Sequence, residues 1–428
     1  MTLTLPGHDE AADSREPEPL LMPREGVPPV TSTMTELAEV IERFARGTGP
    51  VAIDAERASG YRFSQRAYLV QLRRVGSGSA LIDPIGCPDL SGLSAVLQDD
   101  EWILHAASQD LACLAEVGLV PPRVFDTELA GRLAGFERVG LGAMVENVLG
   151  FRLEKGHSAA DWSTRPLPDS WLVYAALDVE VLIELRDALE AELLRQGKLA
   201  WAQEEFEAVR LAPPAGPRTD PWRRTSGLHR LRSRRQLAAV RSLWEVRDEM
   251  ARRRDIAPGR ILPDAAIVSA VSAAPRTKDD LLALPVFGGR STRRHVDVWF
   301  RALTDAAALA EEHLPPPVPA GDGPPAANRW AERDPIAAKR LARVRVAIAA
   351  LSEQHNIPAE NLALPEAVRR LAWHPLATIN ESVVAQTLRA AGARDWQVAL
   401  VAGPLALVLP EPATPIALAF SDEPTPDA

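Results

Sequence analysis

Five side chains have the types and spacings that metal-assisted chemistry needs: Asp54, Glu56, Asp110, Tyr174 and Asp178. The first two interrupt an apolar run, Val51-Ala52-Ile53-Asp54-Ala55-Glu56. On a strand, residues i and i+2 project from one face, roughly 7 Å apart. Asp54 and Glu56 would therefore project together while Ile53 and Ala55 face a core. Two acids on one face of a buried strand repel each other and desolvate poorly. Cations relieve both problems, and hard oxygen donors of this kind suit Mg²⁺ or Mn²⁺. The same pair also fits a strand end whose acids reach solvent. Asp110 stands where the run Glu101-Trp102-Ile103-Leu104-His105 gives way to a helix. Tyr174 and Asp178 are four residues apart on a helical stretch, so they share a face, about 6 Å apart along the axis.

The elements that must position these groups read as follows. Leu37, Val40, Ile41 and Phe44 are at helical spacing. Gly47-Thr48-Gly49-Pro50 stops that helix, and the Asp54 strand follows. A polar loop, Arg57 to Arg66, leads to a second strand at Tyr68–Arg73, and Gly76-Ser77-Gly78-Ser79 turns the chain into a third at 80–83. Further strands at 101–105 and 124–127 alternate with short helices, and a loop at 155–168 precedes one long helix from Ser170 to about Leu194. A mixed sheet with helices on both sides is the economical arrangement.

A chain of 428 residues implies two to four domains. Its 46% hydrophobic and 25% charged content is that of globular protein. No run of about 18 uncharged apolar residues predicts a membrane span, and no basic segment followed by an apolar one opens the chain. The isolated thiols Cys87 and Cys113 form neither a disulfide framework nor a zinc site, which points to a cytoplasmic location. The net charge of −10 argues against nucleic acid as a partner only on average. Arg218 to Arg260 holds 13 Arg against 5 acids, a phosphate-binding candidate that reads equally well as a solvated helix face.

Two helical blocks beyond a Pro-rich linker repeat each other. Arg254-Asp255-Ile256-Ala257-Pro258 through Leu262-Pro263 matches His355-Asn356-Ile357-Pro358 through Leu364-Pro365, each after an amphipathic helix. Such spacing points to a duplicated domain. The expected division is a disordered acidic tail at 1–30, a catalytic domain at 31–212, a linker at 213–225, a helical domain at 226–308, a Pro-rich linker at 309–330, a divergent second helical domain at 331–410 and an acidic tail at 411–428.

Asp54-x-Glu56, then His105-Ala-Ala-Ser-Gln-Asp110-Leu, then Tyr174-x-x-x-Asp178 resemble the three motifs of the DEDD exonuclease superfamily in its tyrosine subclass. Tyr68-Leu-Val-Gln71-Leu, Phe125-Asp126-Thr127, Asp161-Trp162-x-x-Arg165-Pro166-Leu167 and Tyr174-Ala-Ala-Leu-Asp178 resemble the ribonuclease D family, in order. The helical blocks look like its HRDC (helicase and RNase D C-terminal) domains. The resemblance implies a multidomain α/β and all-α chain: a ribonuclease H-like mixed-sheet exonuclease domain followed by two HRDC-like helical domains. It implies two divalent metal ions, Mg²⁺ or Mn²⁺, with Asp54 bridging both, Glu56 and Asp178 completing one site and Asp110 holding the other. Tyr174 would orient the attacking water. The implied substrate is RNA with a free 3′ end, such as a tRNA precursor, cut to nucleoside 5′-monophosphates by a monomer.

Around this set, Tyr61, Arg62, Phe63 and Arg66 could stack on or neutralise terminal nucleotides, or form a mobile surface loop. Arg165 could meet phosphate, although Asp161-Trp162 reads as a structural latch. Arg223, Arg224, Arg232, Arg234 and Arg235 are the basic-block candidates for RNA. His105 reads as structural, Asp126 as a helix cap, and Trp222, Trp244, Trp299 and Phe300 as core. His157 is off the spacing of relatives that use a histidine, since Val173 occupies that position. The rival functions are a DNA 3′→5′ exonuclease in repair and a non-catalytic RNA-binding scaffold; the latter predicts a missing ligand, and all four acids are present.

Overall fold

A computed structural model describes residues 16–154, 156–157, 159–214, 216, 218–317, 323–374 and 376–411, in two units divided at residue 321. The first unit is built on strand β3, Thr48–Arg57, which carries Asp54 and Glu56. With β1 (Glu18–Leu20) and β2 (Val30–Thr31) before it, the later strands are β4 (Ala67–Val75), β5 (Gly78–Ile82), β6 (Glu101–Leu104), β7 (Arg123–Asp126) and β8 (Phe151–Leu153). The main sheet has the order β2-β5-β4-β3-β6-β7. β3, β4 and β5 form the expected antiparallel meander, and β6 and β7 add in parallel.

Period-2 alternation sends Ile53 into a core with Val51, Val70, Leu72, Trp102 and Phe44, all fully buried. Helix α1 (Met34–Ala45) covers that face through Leu37, Val40 and Phe44. Its start is local: Thr33 and Glu36 form a capping box. The helices α2 (Ser91–Val96), α3 (Leu111–Glu116), α4 (Thr127–Ala134) and α5 (Leu141–Leu149) follow. The expected long helix is in fact two, α6 (Asp169–Glu180) and α7 (Leu182–Arg195), interrupted at Val181. α6 packs on β3, β4 and β5, whereas α7 turns onto α4 and α5. α8 (Leu199–Arg210) closes the exonuclease part.

Three expectations are corrected here. Residues 16–30 are ordered: β1 pairs with β8 and β2 with β5, while residues 1–15 lie outside the described residues. β8 is not among the expected strands; three residues pairing with a strand about 130 positions away leave no local pattern. The linker 213–225 ends in a short 3₁₀ turn, Pro221–Arg224, whose Trp222 is buried in the helical core.

That helical part contains α9 (Arg234–Arg254), α10 (Pro258–Ile261), α11 (Asp264–Ala273), α12 (Lys278–Leu282), α13 (Arg290–Arg293) and α14 (Val296–Ala308), around Trp222, Leu243, Ile267 and Trp299. The second unit, described from residue 323, contains α15 (Trp330–Arg333), α16 (Pro335–His355), α17 (Ala359–Leu362), α18 (Pro365–Trp373), α19 (Glu381–Ala390) and α20 (Asp395–Val408). Its core includes Trp330, Val344, Leu371 and Leu405. The two helical parts share backbone features. α9 and α16 are both 21 residues, both close on a left-handed residue at φ 48° (Asp255 and Asn356), and each leads to a four-residue helix. The apolar run 398–408 is helical, inside α20. The tail beyond Glu411 lies outside the described residues. No helix of the described residues is long and apolar enough to cross a membrane.

Candidate active site

Strand β3 and helix α6 meet at an open cleft of about 1350 Å³ lined by Asp54, Glu56, Asp110, Tyr174 and Asp178. Asp54, Glu56 and Asp178 each offer a carboxylate oxygen, all within 4.8 Å of one another. Asp110 lines the same cleft and its charge acts on Glu56. Tyr174 stands one turn before Asp178 on α6 and lines the same cleft. All five residues that the spacing singled out are therefore together.

Different elements hold each group. Gln71 on β4 lies directly across the ladder from Asp54, is fully buried, and donates from Nε2 to Asp54 Oδ2 at 2.6 Å. Asp110 follows a tight turn in which Ala106 has φ 59°. Asp126 caps α4 through the N–H groups of Glu128 and Leu129. The same carboxylate accepts from Ala106 (3.1 Å) and Ala107 (2.8 Å), fixing the turn that aims Asp110. The helix-cap reading of Asp126 was correct but incomplete. β4 also anchors α6: Arg73, two residues beyond Gln71, sits 3.1 Å from the fully buried carboxylate of Glu180. The Tyr174 ring packs among Trp162 (6.4 Å) and the edge of His157 (5.8 Å).

Burial dominates the electrostatics. It pushes the Glu56 carboxyl up to about 10, helped by the charges of Asp54, Asp178 and Asp110. It pushes Asp110 up to about 8, with Asp54 the next cause. Asp54 and Asp178 are raised too, again first by burial. The Tyr174 hydroxyl is raised by burial and then by its acidic neighbours, so at neutral pH it is a proton donor. Arg57 lies 3.5 Å from Asp110. Crowded, desolvated carboxylates with only oxygen donors fit a hard divalent cation. His105 lines the cleft but bonds Thr127 Oγ1 at 2.9 Å, and burial pushes its imidazole down to about 4. It is a neutral structural residue, as its sequence position suggested.

The RNA-binding candidates are placed differently. Arg165 holds Asp83 through two bonds of 2.7 Å and donates to the carbonyls of Trp162, Thr164 and Tyr68. Its guanidinium is a latch across the sheet, which corrects the phosphate reading. Phe63 packs against the helical core and the Tyr61 ring lies 3.9 Å under Arg260, so neither ring is a free stacking platform. Arg62 bonds Ser163, and Arg66 lies over the Tyr68 ring. Arg223 pairs with Asp220 and donates to the Pro316 carbonyl. Arg234 and Arg235 bind carbonyls between Ala307 and Pro315. These three hold the segment after α14, whereas Arg224 and Arg232 are exposed.

A family model described as a 3′-5′ exonuclease matches residues 29–194, the HRDC domain matches residues 236–303, and a 3′ to 5′ exonuclease C-terminal domain matches residues 323–409. Ribonuclease D of Gluconacetobacter diazotrophicus is 31% identical over 358 residues, covering 81% of this chain and 87% of that protein. Ribonuclease D of Escherichia coli is 30% identical over 348 residues, covering 80% and 88%. The chain belongs to the ribonuclease D family. Among solved structures, a Bifidobacterium adolescentis protein is similar at 38% identity and a TM-score of 0.85, covering 92% of this chain and all of that one. Escherichia coli ribonuclease D, an exoribonuclease involved in structured RNA processing, is similar at 28% identity and a TM-score of 0.65, covering 89% and 98%. The ribonuclease D resemblance read from the motifs is met, and the chain is a 3′→5′ exoribonuclease. The exonuclease fold and the acidic cluster imply divalent metal ions.

Proposed function

We propose that this ribonuclease D relative is a two-metal hydrolase of the tyrosine subclass that trims RNA from a free 3′ end, releasing nucleoside 5′-monophosphates. The observation that carries this reading is the gathering of Asp54, Glu56 and Asp178 within 4.8 Å, beside Asp110 and Tyr174. Two divalent cations, Mg²⁺ or Mn²⁺, supply Lewis-acid activation of water and charge neutralisation at the phosphorus when bound. Asp54 would help hold both, Glu56 and Asp178 would complete the donors for one, and Asp110 would serve the other. Tyr174, kept protonated, orients the attacking water from its place on α6. Arg57 and Gln71 hold Asp110 and Asp54 in register.

The substrate class is structured RNA, tRNA precursors among them, acted on by a cytoplasmic monomer. The main sheet is ribonuclease H-like. The functional division is an exonuclease domain from β1 to residue 212, an HRDC domain at 226–308 and a second, divergent HRDC-like copy at 331–410. The shared helix lengths and left-handed caps support the duplication. A scaffold without catalysis has no need for four converging carboxylates.

End-labelled RNA and a matched DNA strand, digested with EDTA and then with metal added back, test this reading by direction, products and sugar preference. Asp54→Asn and Asp178→Asn should each abolish metal-dependent cleavage with little loss of RNA affinity. Full activity in either variant overturns the site; equal or better cleavage of DNA favours the repair exonuclease.

A further inference from the structure

The loop 58–66 leaves β3 immediately after Glu56 and Arg57 and returns as β4. Its first residues, Ser59 and Gly60, line the cleft beside Asp54 and Asp110. Backbone N–H groups in such a segment need acceptors from elsewhere. The loop supplies some itself, since Tyr61 and Arg62 donate to the Ala58 carbonyl. The end of α9 supplies acceptors for two more. Asp255 Oδ1 accepts from the N–H groups of Phe63 (3.1 Å) and Ser64 (2.8 Å), and Oδ2 accepts from the Tyr68 hydroxyl at 3.3 Å. Burial opposes the charge of Asp255, yet the Ser64 and Tyr68 donors keep its carboxyl below the usual range. It accepts as a carboxylate, which strengthens each bond.

Two more hydrogen bonds reach closer to the cleft. The Ala257 N–H donates to the Tyr61 carbonyl at 2.9 Å. Arg260 donates to the Gly60 carbonyl at 2.8 Å while its guanidinium lies 3.9 Å over the Tyr61 ring, a cation–π pair. Phe63 packs into the helical core. The second helical copy has the same left-handed cap, with Asn356 at φ 48°. The turn is thus shared by both helical parts, whereas the carboxylate is Asp255's alone.

We infer that Asp255 and Arg260 are positioning residues for cleavage: through them the first helical domain sets the cleft wall at Ser59 and Gly60 against which the terminal nucleotides lie. This rests on the exonuclease reading above. Helical-domain side chains then affect how substrate is placed, read as KM, without touching it.

The full-length chain tests this with Asp255→Gly and Asp255→Asn. Glycine adopts the left-handed turn without strain and removes only the carboxylate. Asparagine keeps an acceptor oxygen for the two N–H groups. Hydrogen exchange by mass spectrometry reads the loop 58–66, and cleavage of a trinucleotide with Mg²⁺ or Mn²⁺ reads the cleft with few phosphates for distant arginines to hold. In Asp255→Gly, loop protection should fall by about tenfold or more. The KM for the trinucleotide should rise by about fivefold or more with kcat within about twofold, because ground-state positioning is what is lost. Asp255→Asn should restore most of both. Wild-type protection and KM in a folded Asp255→Gly overturn the inference. So does a defect confined to long RNA, which would place Asp255 on an RNA-binding surface. A wild type unable to cleave the trinucleotide with either metal overturns the exonuclease reading instead, and this inference with it.

Discussion

Replacing Gln71 with leucine tests how the carboxylate cluster is aimed. Gln71 is fully buried and donates to Asp54 Oδ2 at 2.6 Å, while its own Oε1 has no hydrogen-bond partner among the described residues. A hydrogen bond to a charged group contributes about 1.5–3 kcal/mol, which converts to about 10–100-fold in a binding constant. Removing a residue that orients a metal ligand costs about the same, 10–100-fold, by a separate line of experience. Leucine is close to glutamine in volume, so little cavity results. It also deletes an unpaired buried carbonyl that costs about 1–3 kcal/mol. The lost bond and the deleted carbonyl roughly offset, so Gln71→Leu should leave the melting temperature without metal nearly unchanged and weaken Mg²⁺ or Mn²⁺ binding by about 10–100-fold. Isothermal titration of the metal reads the affinity, and the metal dependence of single-turnover RNA cleavage reads its consequence. An unchanged metal affinity in a folded variant would mean that β3 aims Asp54 alone, and that Gln71 only fills space.

Arg73→Met strands the fully buried Glu180 carboxylate, with Arg24 remaining at 3.9 Å. Hydrogen exchange should show α6 destabilised by about 3 kcal/mol, and unchanged exchange there would refute the anchoring. Exchanging exposed Arg224 and Arg232 for alanine should flatten the salt dependence of RNA affinity, by about 0.7 in log–log slope for each phosphate these side chains neutralise; an unaltered slope removes them from the RNA path. The fold prefers neutral His105, whose imidazole burial pushes down from 6.5 to about 4. On acidification the unfolded chain takes up that proton first, so the ring's contribution to stability is present above 6.5 and lost as pH falls towards about 4. The stability of wild type relative to His105→Asn should therefore drop across that window in melting curves at matched pH, and a constant difference would refute the burial argument.

Local periodicity made much of this molecule legible before any coordinates. The period of two on a strand put Asp54 and Glu56 on one face, and helical spacing did the same for Tyr174 and Asp178. The capping box at Thr33 and Glu36, the cap at Asp126 and the repeated Ile-to-Pro punctuation of the helical blocks are equally short-range signals. Each depends on residues within a turn or two of each other, where covalent geometry dictates the neighbourhood.

What only tertiary structure decided are contacts between residues far apart in the chain. β1 and β8 pair across about 130 residues, so the segment read as a tail became a strand whose Pro19 helps line the cleft. Gln71, quoted for a motif, became the partner of Asp54 through strand register. The largest revision concerns the loop 58–66. From composition, Tyr61 and Phe63 suit nucleotide bases as well as they suit a protein core. The fold packed Phe63 into the first helical domain, about 190 residues downstream, set the Tyr61 ring between the exonuclease core and Arg260, and left the cleft wall to Ser59 and Gly60. The sequence by itself determined which side chains could do chemistry, because type and local spacing are written in it. Which partner each side chain meets was decided by folding, because packing and loop closure bring together residues whose separation along the chain carries no pattern.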